Sequence, residues 1–372
     1  MPRKVQSQSR FIPYARGFRA PSKKVKQKAL IGHGECSSHI SKEFADGEHF
    51  ESVQKCQSID DWLANVKENG QTYAQFINNC PWLSTRKWRK VNMKFVSSGE
   101  TIHEKYPDGK IYIIPVGDLT TGLNNNLCIL DVDDIIEYCQ IFLGLPVVTL
   151  PAVSLVRNKG KVLWLEDKVG SRKKRQTTSV VLPSRYDKRS NHYQLHVAAV
   201  LEKLRKSLPD DAICLLGLTM YDLYEDDADL FVAGMAAGNH RVGLFSLFRY
   251  NPRLAFSKEY WYDVTEIDSI LKIPHNELML QRGCKLVVHE ICHLLGIDHC
   301  IFYLCCMNGS GHLEEDFRQP MFLCPIDLRK LHQLCGFDII QRYEQLRGFF
   351  GKHHMEKECL WLERRLDFLR KG

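Results

Sequence analysis

The stretch His289-Glu290-Ile291-Cys292-His293-Leu294-Leu295-Gly296-Ile297-Asp298-His299 narrows the folds open to this chain more than any other. On an α-helix, residues four apart lie on one face, one turn above each other, so His289 and His293 can aim imidazole nitrogens at a single point. Gly296 tolerates a left-handed conformation, which lets the chain leave the helix sharply. His299 follows the turn and supplies a third nitrogen. Three imidazoles leave the fourth position of a tetrahedral zinc open, as a catalytic rather than structural site requires. The spacing therefore predicts a catalytic zinc on His289, His293 and His299. Glu290, beside the first histidine, reaches a water on the metal without being a ligand and acts as general base.

The 372 residues are enough for one large domain or two modest ones, and 44% apolar with 26% charged is ordinary for a globular chain. The net charge of +7 is unevenly placed, because residues 1–30 hold nine Lys and Arg and no acid. The rest is close to neutral, so bulk charge argues against nucleic-acid binding. The longest apolar run, Ile141–Val156, is broken by Gly144, Pro146 and Pro151 and is too short for a bilayer, so no membrane association is expected. No apolar leader core follows the basic start. Nine of the fourteen cysteines are scattered singly and read as reduced thiols, which points to an intracellular compartment, cytoplasm or nucleus. Cys300, Cys305, Cys306, Cys324 and Cys335 crowd one short stretch and point to metal.

Residues 1–50 are expected to be a basic, disordered arm, with Lys23-Lys24-Val25-Lys26 its densest charge. Ile59–Phe76 is expected as a helix and Lys110–Val116 as a strand. Leu130–Leu143 reads as a helix whose Asp131, Asp133 and Asp134 cap its start. Val147–Val156 reads as a strand, Tyr193–Leu204 as a helix, and Ala212–Met220 as a strand buried on both faces. The Arg172-Lys173-Lys174-Arg175 run reads as a solvated loop tip. Leu230–Ala236 and Val242–Phe248, joined by a tight turn, are expected to pair antiparallel, with Val242–Phe248 as the sheet edge that a peptide would join. Met355–Arg370 is helix-like.

The pattern continues past the third histidine with Cys300, four residues, Cys305, one residue and Met307. Together with LLGLTMYDLY from Leu215, VGLFSLFRY ending at Tyr250, and His312-Leu313-Glu314-Glu315, it resembles the archaemetzincin family of zinc metallopeptidases, in particular the archaemetzincin-2 type. The resemblance covers roughly residues 110–350. It implies a compact metzincin-like α/β fold: a mixed, mostly parallel sheet with an antiparallel edge strand, and an active-site helix. Residues 51–350 would form that catalytic domain and 351–372 a helical tail. Met307 would form a turn beneath the metal. The family also carries a second, structural zinc on four cysteines, of which Cys300, Cys305 and Cys324 match three, while Asp327 stands in the fourth place. Carboxylate oxygen binds zinc, so the second site can persist with Asp327. Cys306 or Cys335 in its stead, or loss of the site, are the alternatives.

The function expected from these readings is hydrolysis of peptide bonds, aminopeptidase-like on small peptides, with zinc as cofactor. The competing reading is a zinc-binding interaction protein whose catalysis has lapsed and whose basic arm contacts an acidic partner. Glu290 argues against it, since binding alone has no need of a base beside the histidines. Oligomeric state is not legible.

Overall fold

Eight consecutive residues, Ala212–Thr219, are all buried in one strand, which an apolar, β-branched and leucine-rich run achieves only when sheet and layers cover both of its faces. The computed structural model describes residues 18–35, 40–83, 99–119, 128, 130–169, 175–188, 190–254 and 273–371. Two units are distinguished: one from Lys110–Ile136 and Val147–Gly283, the other from Gln6–Gly109, Glu137–Pro146 and Cys284–Gly372.

The first unit holds all eleven described strands: β1 (Lys110–Pro115), β2 (Val147–Thr149), β3 (Leu155–Asn158), β4 (Lys161–Val169), β5 (Arg175–Leu182), β6 (Ser184–Asp187), β7 (His192–His196), β8 (Ala212–Thr219), β9 (Asp222–Tyr224), β10 (Gly234–Ala237) and β11 (Val242–Ser246). The main sheet has the order β10-β11-β8-β1-β2. Its β11–β8, β8–β1 and β1–β2 pairs are parallel, with Ile111 between Cys214 and Val147, and only β10 runs antiparallel. The mixed, mostly parallel sheet with an antiparallel edge is thus as expected. The identity of the edge is not. Val242–Phe248 was expected there, but β11 is second in order and buried along its whole length, and the outermost strand is β10. The tight turn that joins the pair ends on Arg241 in the left-handed region (φ 59°). Two small sheets, β3-β4-β5 and β6-β7-β9, complete this unit. The Arg172–Lys174 part of the basic run lies outside the described residues.

Three further expectations change in detail. Tyr193–Leu204 is not one helix: its start belongs to β7, and the helix Val197–Lys206 begins where the His196 ring accepts a hydrogen bond from the Ala199 amide. Val147–Val156 is not one strand, because Pro151 interrupts the run and separates β2 from β3. Ile59–Phe76 is two short helices, Trp62–Asn65 and Tyr73–Asn79. Between them Gly70 is left-handed (φ 69°), and a Cβ there would lie 2.7 Å from Ile301 Cγ1. Thr72 and Gln75 then restart the chain with a reciprocal capping box. By contrast, the helix Val132–Leu143 starts with Asp131 Oδ1 accepting from the Asp133 amide, the capping role read for those acids.

The second unit is helical. Within the segment expected as an arm, residues 1–17 lie outside the described residues, and Lys23–Leu30 is a helix capped by Ser22. Of its basic run, Lys26 is buried. Pro325–Cys335 starts with a proline, whose missing N–H costs a first turn nothing, and stops at left-handed Gly336. Ile339–Lys352 and the tail helix Glu356–Arg370 follow, and Trp361 of the tail stacks on Phe322 with ring centroids 3.9 Å apart. No helix among the described residues is long and apolar enough to cross a membrane.

Candidate metal centre

His289 and His293 stand on the helix His275–Leu294. The helix ends in a Schellman motif. The Ile297 amide bonds the Cys292 carbonyl at 2.9 Å, the Gly296 amide bonds that of His293 at 2.9 Å, and Gly296 takes φ 92°. This is the role the sequence assigned to Gly296. It has a further consequence, because the turn brings the Ile297 carbonyl back to within 2.7 Å of His293 Nδ1. The Nδ1 of His289 lies 2.7 Å from the Cys306 carbonyl.

A carbonyl only accepts, so both rings must carry their proton on Nδ1, and both Nε2 atoms must present lone pairs. Those two Nε2 atoms lie 3.0 Å apart. Two lone pairs facing each other at that distance repel unless a cation lies between them. Two nitrogens of a tetrahedral zinc stand roughly 3.3 Å apart, given Zn–N distances near 2.0–2.1 Å. His299 closes the group. Its ring centroid is 4.7 Å from that of His293 and 5.5 Å from that of His289, and donor atoms of all three rings fall within 4.8 Å of one another. Its Nδ1 bonds Glu68 Oε1 at 2.8 Å, which leaves Nε2 for the centre. Burial, then the neighbouring rings, holds His289 well below the usual imidazole range and His293 down to about 4. At neutral pH these two rings are therefore uncharged, the form that binds a cation. The donor set fits zinc.

Glu290 is partly open to solvent, yet the surrounding protein desolvates its carboxylate and, with the charge of Asp316, pushes its pKa up to about 8. Met307 is fully buried. Its carbonyl accepts from the Cys300 amide at 2.7 Å, and its neighbour Cys306 provides the carbonyl that holds His289. The turn around Met307 thus links the histidine group to a second cluster.

That cluster is Cys300, Cys305, Cys324 and Asp327, all buried, with one donor atom each within 4.8 Å of the others. Cys300 Sγ lies 3.6 Å from Cys324 Sγ, and Asp327 Oδ2 lies 3.3 Å from the sulfurs of both Cys305 and Cys324. The amides of Cys324 and Met307 donate to Cys305 Sγ at 3.2 and 3.5 Å, while burial, then the bonds to the neighbouring sulfurs, push its thiol pKa well above the usual range in the metal-free protein. Cys324 is also the N-cap of its helix, where the dipole favours negative charge. Cys306 and Cys335, the alternatives read from sequence, are not part of this group. Asp327 splits its two oxygens: Oδ2 faces the sulfurs and Oδ1 accepts from Lys330 Nζ at 2.7 Å, both side chains being shut off from water. Lys26 brings a second cation, its Nζ 4.1 Å above the Tyr303 ring, where its charge is felt by Cys300 and Cys324. Four soft or anionic donors around one point, with cations outside them, also fit zinc.

The sequence reading missed Glu68, Trp62, Gln71 and Lys330. Lys330 was findable, since it lies one helical turn past Asp327. Glu68 carried no local signal. A third acidic group, Asp61, His312 and Glu315, is explained without a metal. His312 caps the helix Leu313–Arg318 and bonds Asp61 at 2.8 Å, while Glu315 accepts from the amides of Trp62 and Gly311.

Residues 181–333 match the family model of peptidase family M54. Archaemetzincin-2 of Mus musculus is 41% identical over 173 residues, covering 44% of this chain and 48% of that protein. Archaemetzincin-1 of Mus musculus is 32% identical over 254 residues, 64% of this chain and 45% of that protein. The chain thus spans about half the length of the curated relatives it matches. A crystal structure of archaemetzincin from Archaeoglobus fulgidus, complexed with malonate, aligns with a TM-score of 0.36 at 22% identity, over 59% of this chain and 99% of that one.

Proposed function

We propose that this chain, whose residues 181–333 match peptidase family M54 and which is similar to archaemetzincin-2 of Mus musculus, is a zinc metallopeptidase in which His289, His293 and His299 hold a catalytic zinc and Glu290 is the general base of peptide-bond hydrolysis. The observation that carries this reading is the pair of Nε2 atoms 3.0 Å apart, both deprotonated by the carbonyl bonds on Nδ1. Zinc in such a site polarises the scissile carbonyl and lowers the pKa of water. The chain's own residues do the rest. The two helical imidazoles are fixed by backbone carbonyls and so need no reorganisation to bind. On this reading Glu290, next to His289 in the chain, takes the proton of the attacking water and returns it to the departing amine. A cation held by the three histidines would oppose the desolvation that raises the Glu290 pKa to about 8 and would favour its ionised, basic form.

The proposal extends to two finer points. The substrate is a small peptide cut in an aminopeptidase-like manner. The Cys300, Cys305, Cys324 and Asp327 cluster holds a second, structural zinc, closed by four protein donors and therefore without a site for water. The test is cleavage of a mixed peptide library, with free and blocked N-termini, by the wild type and by Glu290→Ala. Cleavage of the free set by the wild type alone, with zinc retained in the variant, is expected. Equal cleavage of the blocked set would refute the aminopeptidase mode, and an active variant would refute the base.

A further inference from the structure

The two helical histidines are held by backbone, whereas His299 lies beyond the helix, on the turn that follows Gly296. Its ring makes one hydrogen bond in the described structure, from Nδ1 to Glu68 Oε1 at 2.8 Å, and its side face meets the Trp62 indole edge-on at 5.2 Å. Both side chains are largely covered, at 21% and 20% exposure, so the bond is shielded from competing water. Glu68 and Trp62 lie more than a hundred residues before the start of the family match at residue 181.

The segment that carries them is itself fastened to the turn it serves. Gln71 Nε2 donates to the Gly296 carbonyl and to Asp298 Oδ2, both at 3.0 Å, and Gln71 Oε1 accepts from the Asp298 amide. Trp82 Nε1 donates to the Leu294 carbonyl at 3.1 Å, and Cys80 Sγ to that of Leu295 at 3.4 Å. These are helix-terminal carbonyls that no intrahelical amide can reach. The segment 62–82 therefore satisfies the end of the histidine helix and sets the place from which Glu68 reaches His299.

We propose that Glu68 is a positioning residue of the metal centre, supplied by the segment N-terminal to the family-matched region, which fixes the Nδ1–H tautomer and ring orientation of His299 and raises its strength as a ligand. This rests on the reading of His299 as a zinc ligand. A carboxylate behind a ligating imidazole does two things that a backbone carbonyl does less well. It adds negative charge that strengthens the donor nitrogen, and it accepts a charge-assisted bond that holds the ring angle. The ligand with the least backbone support thus has the strongest partner.

The test uses the full chain carrying Glu68→Gln, which keeps the shape and removes the charge, with Glu68→Ala and His299→Ala beside it. Zinc affinity is measured by competition with a chromophoric chelator, and the histidine site is followed separately by the visible bands of the cobalt-substituted protein. A fall of about 10- to 100-fold in zinc affinity is expected for the Glu68 variants, the range found when partners of ligating histidines are removed. The cobalt bands should shift, and the circular dichroism should stay that of the wild type. Wild-type affinity and bands in both Glu68 variants, with binding lost in His299→Ala, would overturn the role of Glu68 alone. Wild-type binding in His299→Ala would instead overturn the zinc reading of the triad.

Discussion

Lys330→Met isolates the electrostatics of the second cluster, since methionine keeps most of the stem and removes the only ammonium that bonds Asp327 Oδ1 in the described structure. In metal-stripped protein, burial, then the charge of Cys300, raises the Asp327 carboxyl from 3.8 to about 6, against the pull of Lys330. A folded pKa above the unfolded one means stability that is complete below the unfolded value and is lost as pH rises through the folded one. At 1.36 kcal/mol per pKa unit, the wild type gives up about 3 kcal/mol between roughly pH 4 and pH 7.5 on this account. Removing Lys330 raises the carboxyl further, but protonation caps the loss. A carboxyl that stays neutral in the fold at about pH 7.5 costs at most about 5 kcal/mol relative to its ionised unfolded state. The substitution should therefore destabilise the metal-stripped protein by about 2 kcal/mol near pH 7.5 and by almost nothing near pH 5.5. This is less than the 3–5 kcal/mol typical of a broken buried pair, because the carboxyl can take up a proton. Urea unfolding of wild type and variant at about pH 5.5, 6.5 and 7.5 measures the difference. A destabilisation that does not vary with pH would refute Asp327 as its source.

Gly296→Ala should cost about 1–2 kcal/mol, the penalty of a left-handed residue with a Cβ, because that Cβ would meet Pro81 Cδ at an ordinary 3.4 Å and so adds no clash. An unchanged denaturation midpoint would show that the turn does not depend on the left-handed geometry. Metal analysis should find two zinc ions per chain in the wild type and one in Cys305→Ser, whose sulfur takes part in the second cluster but not in the histidine group. One zinc in both proteins would leave the second cluster as buried thiols with an ion pair.

The histidine group was legible because helical geometry is local: a spacing of four, an adjacent glutamate and a glycine at the helix end specify their relation without reference to the rest of the chain. The same holds for Ala212–Thr219, where an unbroken apolar run means a strand covered on both faces. The fourth position of the cysteine cluster was visible as Asp327, though its alternatives fell away only when the fold placed Cys306 and Cys335 elsewhere. The edge of the main sheet was not legible, because β10 and β11 pair as a hairpin in either case and only the parallel contact of β11 with β8 makes one of them interior. The break in Ile59–Phe76 was hidden for a related reason. Its apolar spacing is helical on both sides of Gly70, and what forbids a side chain there is Ile301, far along the chain. Sequence therefore carries the identity and spacing of the donors, which one helix and one turn suffice to arrange. The partners that hold them are set by packing: Glu68 meets His299 across 231 residues, and Lys26 comes near Cys300 and Cys324 from the first described helix. Contacts of that kind have no period along the chain, so only the folded backbone brings them together.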